Sequence, residues 1–212
     1  MYFGLSEEQQ SLEDNIKKYL EDNASLDSIK EVAGGDSAKS ADIHKGLLEL
    51  GISGLMVPEE YGGLELDMLF ASVVSGALGS GTAPVPYAGA YVMAPIALTL
   101  AGSDSQKENW LPKIAGGEVV IGIGLSEYVG AREDAAITAS GNTISGRCLF
   151  VMDGKDADAY ILANKAGELY LVDAKAKGIS VTELVTVDKT RPSIELNLDN
   201  VCLLYTSPSP RD

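Results

Sequence analysis

The chain has 212 residues, 45% of them hydrophobic, which is enough to bury a real core and excludes a disordered or collagen-like chain. Its formal net charge of −15 excludes the basic surface that nucleic acid or an anionic membrane requires. Any phosphate-bearing ligand must therefore be held by local amides or helix ends against the overall field. Cys148 and Cys202 are the only cysteines, so no disulfide framework and no metal cluster is implied, and a reducing cytoplasm fits. The opening MYFGLSEEQQ has neither the basic nor the apolar region of a signal peptide.

The first half reads as helical. In LSEEQQSLEDNIKKYLEDN, Ser6 with Gln9 three residues on is a capping-box pattern, followed by an apolar stripe of Leu12, Ile16, Tyr19 and Leu20. A second helix is predicted over about 40–50, carrying Ile43, Leu47 and Leu50 and stopped by Gly51. GLMVPEEYGGLELD is a turn-rich connector, and a third helix is predicted over 67–78. YAGAYVMAPIALTLAG is a fourth, apolar nearly all round and therefore buried. The uncharged stretch 73–103 that contains it is broken by Pro84, Pro86 and Pro95, so it is not a membrane span. SDSQKENWLPKIAGG repeats the capping box with Ser103 and Gln106 and closes at Gly116.

After Gly117 the pattern changes. VVIGIGLS, AAITAS, TISGRCLFVM, AYILAN, ELYLVDA, ISVTELVT and SIELNL are short, β-branched segments separated by turn signals. They predict a small antiparallel barrel or sandwich. The expected fold class is α+β, with an all-α domain over 1–116, a small antiparallel β-barrel domain over 117–201 and a tail over 202–212.

Signatures of chemistry are few. The sole histidine, His44, lacks an evident partner for a catalytic triad and is expected on a solvated helix face. Glu59 and Glu60 are expected in a solvated turn. GIGLSE begins like a dinucleotide fingerprint, but the third glycine is missing and a strand follows in place of a helix. GLSEYVGARED leaves a strand carrying a hydroxyl, a carboxylate and Arg132. It reads equally as a polar-ligand loop, with Arg132 as phosphate partner, or as a charged loop of the β domain.

Taken together, these segments resemble the acyl-CoA dehydrogenase family over about residues 2–201. LLELGISGLMVPEEYGG is similar to L-x-E-L-G-x-x-G-L-x-V-P-E-x-Y-G-G, and NWLPKIAGGE to W-L-P-x-x-A-x-G-E. GLSE stands where the family has L-T-E-P, and GRCLFVMDGKDAD follows G-x-K-x-W-I-T-N-A-x-x-A-D with Gly146, Ala157 and Asp158 kept. The resemblance implies FAD as cofactor and an acyl-CoA substrate dehydrogenated to 2-enoyl-CoA. It further implies a base from a C-terminal four-helix bundle, with electron-transfer flavoprotein or another acceptor, and a homo- or hetero-oligomer, as partners. Carried over by position, Leu125, Ser126, Phe150 and Met152 face the flavin, and Tyr91 and Ile96 floor the acyl pocket, with Arg132 beside them for substrate. No catalytic residue is expected within the chain.

Departures from the motif are Tyr128 for the proline, 131–133 for G-S-D, Cys148 for the lysine and Met152 for the threonine whose hydroxyl lies near flavin N5. They suit a divergent dehydrogenase, a flavin-poor structural subunit of a heteromeric enzyme, or a same-fold flavin oxidase or monooxygenase. The closing CLLYTSPSPRD matches neither helix nor strand and resembles translated adapter sequence, so the 212-residue chain by itself is expected to hold flavin weakly.

Overall fold

The computed structural model describes residues 4–130 and 134–204. Six α-helices come first: α1 Glu7–Asn23, α2 Leu26–Ala33, α3 Ser37–Glu49, α4 Met68–Ser80, α5 Ala94–Ala101 and α6 Asp104–Ala115. A π-helical turn, Ala88–Met93, leads directly into α5. Seven strands follow: β1 Ile121–Gly124, β2 Ala136–Ser140, β3 Thr143–Val151, β4 Ala159–Ala163, β5 Leu169–Asp173, β6 Ile179–Glu183 and β7 Ile194–Cys202. Among the described residues no helix is long and apolar enough to cross a membrane.

Both expected capping boxes form. Ser6 accepts from the Gln9 amide while the Gln9 side chain accepts from the Ser6 amide, and Ser103 and Gln106 do the same. Ile16 and Leu20 of the α1 stripe are buried against α4, each contributing about 2 kcal/mol of hydrophobic stabilisation. α2 was not expected. It is two turns long with only Ile29 and Val32 buried, too short for its periodicity to stand out, and Ser25 caps it. α3 begins at Ser37 because Asp36 accepts from the Lys39 amide and so starts the helix early.

The predicted fourth helix divides. Pro95 has no N–H to return to Tyr91, and the Ala94 amide reaches back five residues to the Gly89 carbonyl. The backbone therefore widens into a π-turn before resuming as α5.

The strands form two sheets, β1-β4-β5 and β2-β3-β7-β6. All pairings are antiparallel except β1 with β4, which run parallel with Ile123 opposite Ile161. That pair departs from the all-antiparallel expectation because β2 and β3 intervene as a crossover between β1 and β4. The three-stranded sheet is buried on both faces. Ile121, Ile123, Ala159, Ile161 and Leu171 join the helical core, while Tyr160, Leu162, Tyr170 and Val172 join a second core against the other sheet. This explains the nearly continuous apolar runs of β1 and β4. The sheet contacts reach past residue 201: the Leu203 and Leu204 amides donate to the Asn142 and Leu171 carbonyls.

Candidate functional site: an apolar cavity at the seam of helices and sheet

Where the C-terminal end of β1 meets α5, the surface opens into a cavity of about 350 Å³. Met93, Ile96 and Ala97 form its helical wall, Ile123 and Leu125 its floor, and Ile161 and Leu169 part of its sheet wall. No charged side chain lines it. Of the residues singled out from sequence, Leu125 and Ile96 meet here.

The turn after β1 carries donors beside this cavity. Among the described residues, the amides of Ser126, Glu127 and Tyr128 have no hydrogen-bond partner. The turn is held by side chains instead. Ser126 is buried, its Oγ accepting from the Leu149 amide at 2.9 Å and lying 3.5 Å from Cys148 Sγ. Glu127 accepts from the Ile137 amide at 2.7 Å. The Ser126 hydroxyl thus fastens the turn to β3 and does not face the cavity. Burial raises the Cys148 thiol pKa, whereas Cys202 is exposed. In the native protein a thiol reagent is expected to label Cys202 quickly and Cys148 only on unfolding. Equal labelling rates in a timed mass-spectrometric assay would contradict this packing.

Phe150 and Met152 lie outside the cavity lining, 46% and 38% exposed. Met152 is tied to the floor through its backbone: its amide donates to the Ile123 carbonyl and its carbonyl accepts from the Ile123 amide, both at 2.9 Å. Phe150 and Asp153 both take left-handed φ, 53° and 51°. For a bulky Phe that conformation costs energy and marks a segment held by its surroundings.

Tyr91 is not part of the lining. It is fully buried in the helical core, with its hydroxyl 2.9 Å from His44 Nε2. His44 is accordingly half-buried and partnered, contrary to the expected solvated helix face. Desolvation pushes its pKa down to about 4, and burial pushes the Tyr91 phenol up. The solvated reading of Glu59 and Glu60 holds, since both are exposed on a short 3-10 turn. Arg132 and its neighbours 131 and 133 lie outside the described residues. Sequence reasoning missed Ile123 and Ile161 as cavity walls, because each reads simply as core. It also missed Asp153, which follows β3 in a left-handed turn.

Helices packed on two β-sheets, with an apolar cavity at their seam, make up a fold of α+β class. The chain belongs to the acyl-CoA dehydrogenase family: the family's profile for the acyl-CoA dehydrogenase N-terminal domain matches residues 6–118. It is similar to a probable acyl-CoA dehydrogenase of Bacillus subtilis, 24% identical over 188 residues, which cover 82% of this chain and 32% of that protein. The ChsE4-ChsE5 complex from Mycobacterium tuberculosis superposes with a TM-score of 0.83 at 24% identity, over 95% of this chain and 56% of that one. The acyl-CoA dehydrogenase complexed with FAD from Bacillus anthracis gives 0.75 at 24% identity, over 94% and 38%. The chain spans between about a fifth and about half the length of the curated relatives it matches.

Proposed function

We propose that this chain supplies the flavin-facing and acyl-facing walls of an FAD-dependent acyl-CoA dehydrogenase that converts an acyl-CoA thioester to its 2-enoyl-CoA. The observation that carries the reading is the apolar cavity lying beside three consecutive amides that have no partner among the described residues. Apolar walls exclude water and receive a hydrocarbon chain, and a row of N–H groups suits the carbonyl-bearing edge of a flavin ring. When bound, FAD would supply the hydride acceptor. Leu125 and Phe150 would offer apolar surface to the ring, Ser126 its backbone amide, and Met152 its thioether. Ile96 would contact the acyl chain, with Tyr91 supporting that helix from beneath. Arg132 would serve a phosphate of CoA or cofactor in this acidic chain.

No carboxylate lines the cavity, so the reading takes the α-proton base from elsewhere in the complete protein. Tyr128 and Leu169, which line the cavity, carry exposed apolar surface. That face is given to a further domain or a second subunit, homomeric or heteromeric. Reducing equivalents would leave to electron-transfer flavoprotein or another acceptor. The complete protein, purified and incubated with FAD, is expected to keep a visible flavin band through gel filtration. A colourless protein that FAD cannot reconstitute would overturn the reading.

One observation favours a second reading, a flavin-poor structural subunit. The Met152 side chain has no hydroxyl, and its amide is already given to Ile123. Replacing Met152→Thr restores a donor at that position and is expected to tighten FAD binding about three- to tenfold, the range for one added hydrogen bond. Unchanged affinity in a fluorescence titration would show that the flavin does not meet residue 152.

A further inference from the structure

We propose that Asp153 is a positioning residue: by gathering the first amides of the π-turn, it sets the acyl-facing helix against the strand segment that faces the flavin. The inference rests on the reading given under Proposed function. Asp153 Oδ2 accepts from the amides of Tyr87 at 3.1 Å, Gly89 at 2.7 Å and Ala90 at 3.1 Å. The π-turn has no side-chain cap of its own. An ordinary cap comes from the neighbouring residue, whereas this carboxylate arrives from the β domain, 63 residues from Ala90.

Its two flanks explain why this matters for the site. Met152, immediately before it, is bonded on both sides to Ile123 in the cavity floor. The π-turn it holds carries Met93 and runs into α5 with Ile96 and Ala97, the opposite wall. One side chain therefore spans the two walls. The approach is close: a Cβ on Gly89 would lie 3.0 Å from Asp153 Oδ2 and 3.2 Å from the Met152 carbonyl. The carboxylate is largely buried, and desolvation raises its pKa while the three amides and Arg191 pull it back. A desolvated carboxylate satisfied by helix amides is a costly arrangement to build and a rigid one once built.

The motif resemblance supplies the natural control, since asparagine stands at this place in W-I-T-N and its carbonyl can accept the same three bonds. The test uses the complete FAD-loaded protein with Asp153→Ala and Asp153→Asn, read by hydrogen exchange over 87–93 and by acyl-CoA affinity. Asp153→Ala is expected to speed exchange at Gly89 and Ala90 at least about tenfold and to weaken acyl-CoA binding by a similar factor, with α1 unchanged. Asp153→Asn is expected to restore both to within about threefold. Unchanged exchange in Asp153→Ala, or faster exchange with undiminished acyl-CoA affinity, would overturn the proposal. So would an asparagine variant as impaired as the alanine one. If the parent protein binds no acyl-CoA while the exchange response is seen, the functional reading has failed and the latch between the walls stands as structure only.

Discussion

Gly146→Ala is expected to cost about 2–6 kcal/mol, combining left-handed backbone strain with overpacking. Gly146 sits at φ 134° where β3 bulges, and an added Cβ would lie 1.9 Å from the Ala136 carbonyl oxygen of the paired strand. No flexible side-chain end can yield there, because the obstacle is backbone. Against a total stability of roughly 5–15 kcal/mol the loss is large, and a melting temperature lower by about 10 °C is expected. The consequence is also functional. The bulge sets the register that turns Cys148 inward against Ser126, and a second shift between Cys148 and Val151 follows before the exposed Phe150 and Met152. A calorimetric scan showing Gly146→Ala within about 1 °C of the parent would mean that the strand does not make this close approach.

The second large effect is acid sensitivity carried by His44. Its folded pKa of about 4 lies below the ordinary 6.5, because desolvation beside Tyr91 disfavours the imidazolium. The neutral histidine therefore contributes stability that is complete above about pH 6.5 and is lost as pH falls through about 4. Over that window the unfolded chain takes a proton that the folded one refuses, a loss on the order of 3 kcal/mol. Asp153, Lys155, Lys189 and Arg191 line the same cleft as His44. Asp153, whose pKa is raised by burial, shifts stability in the opposite sense on acidification. Those groups are common to both proteins when parent and His44→Gln are compared, so the difference isolates the histidine. Denaturant titrations are expected to show the glutamine variant losing less stability between pH 6.5 and 4. Parallel pH profiles would contradict a buried neutral His44.

What was legible in the sequence was local. The capping boxes at Ser6 and Ser103 involve residues three apart, and both formed as read. The strand series was legible from β-branched runs, but the parallel β1–β4 pair was not, because alternation says nothing about a strand's partner and both strands are buried on two faces. The π-turn was hidden for a related reason: it depends on Pro95 nearby and on Asp153 far along the chain. His44 looked solvated because its partner, Tyr91, lies 47 residues away. At the candidate site, motif resemblance found Leu125 and Ile96, while Ile123 and Ile161 carry no signal apart from being apolar. Ser126 was singled out as a flavin contact; its hydroxyl oxygen secures the turn to β3, and among the described residues its backbone amide has no partner.

The central claim, that the cavity beside the free amides receives an acyl chain against a flavin, is tested most directly by anaerobic reduction. The FAD-loaded complete protein would be mixed with acyl-CoA thioesters of short, long, branched and bulky side chains while flavin absorbance is followed. At least one thioester is predicted to bleach the flavin with formation of the matching 2-enoyl-CoA. A flavin that stays oxidised with every one of them would contradict the account.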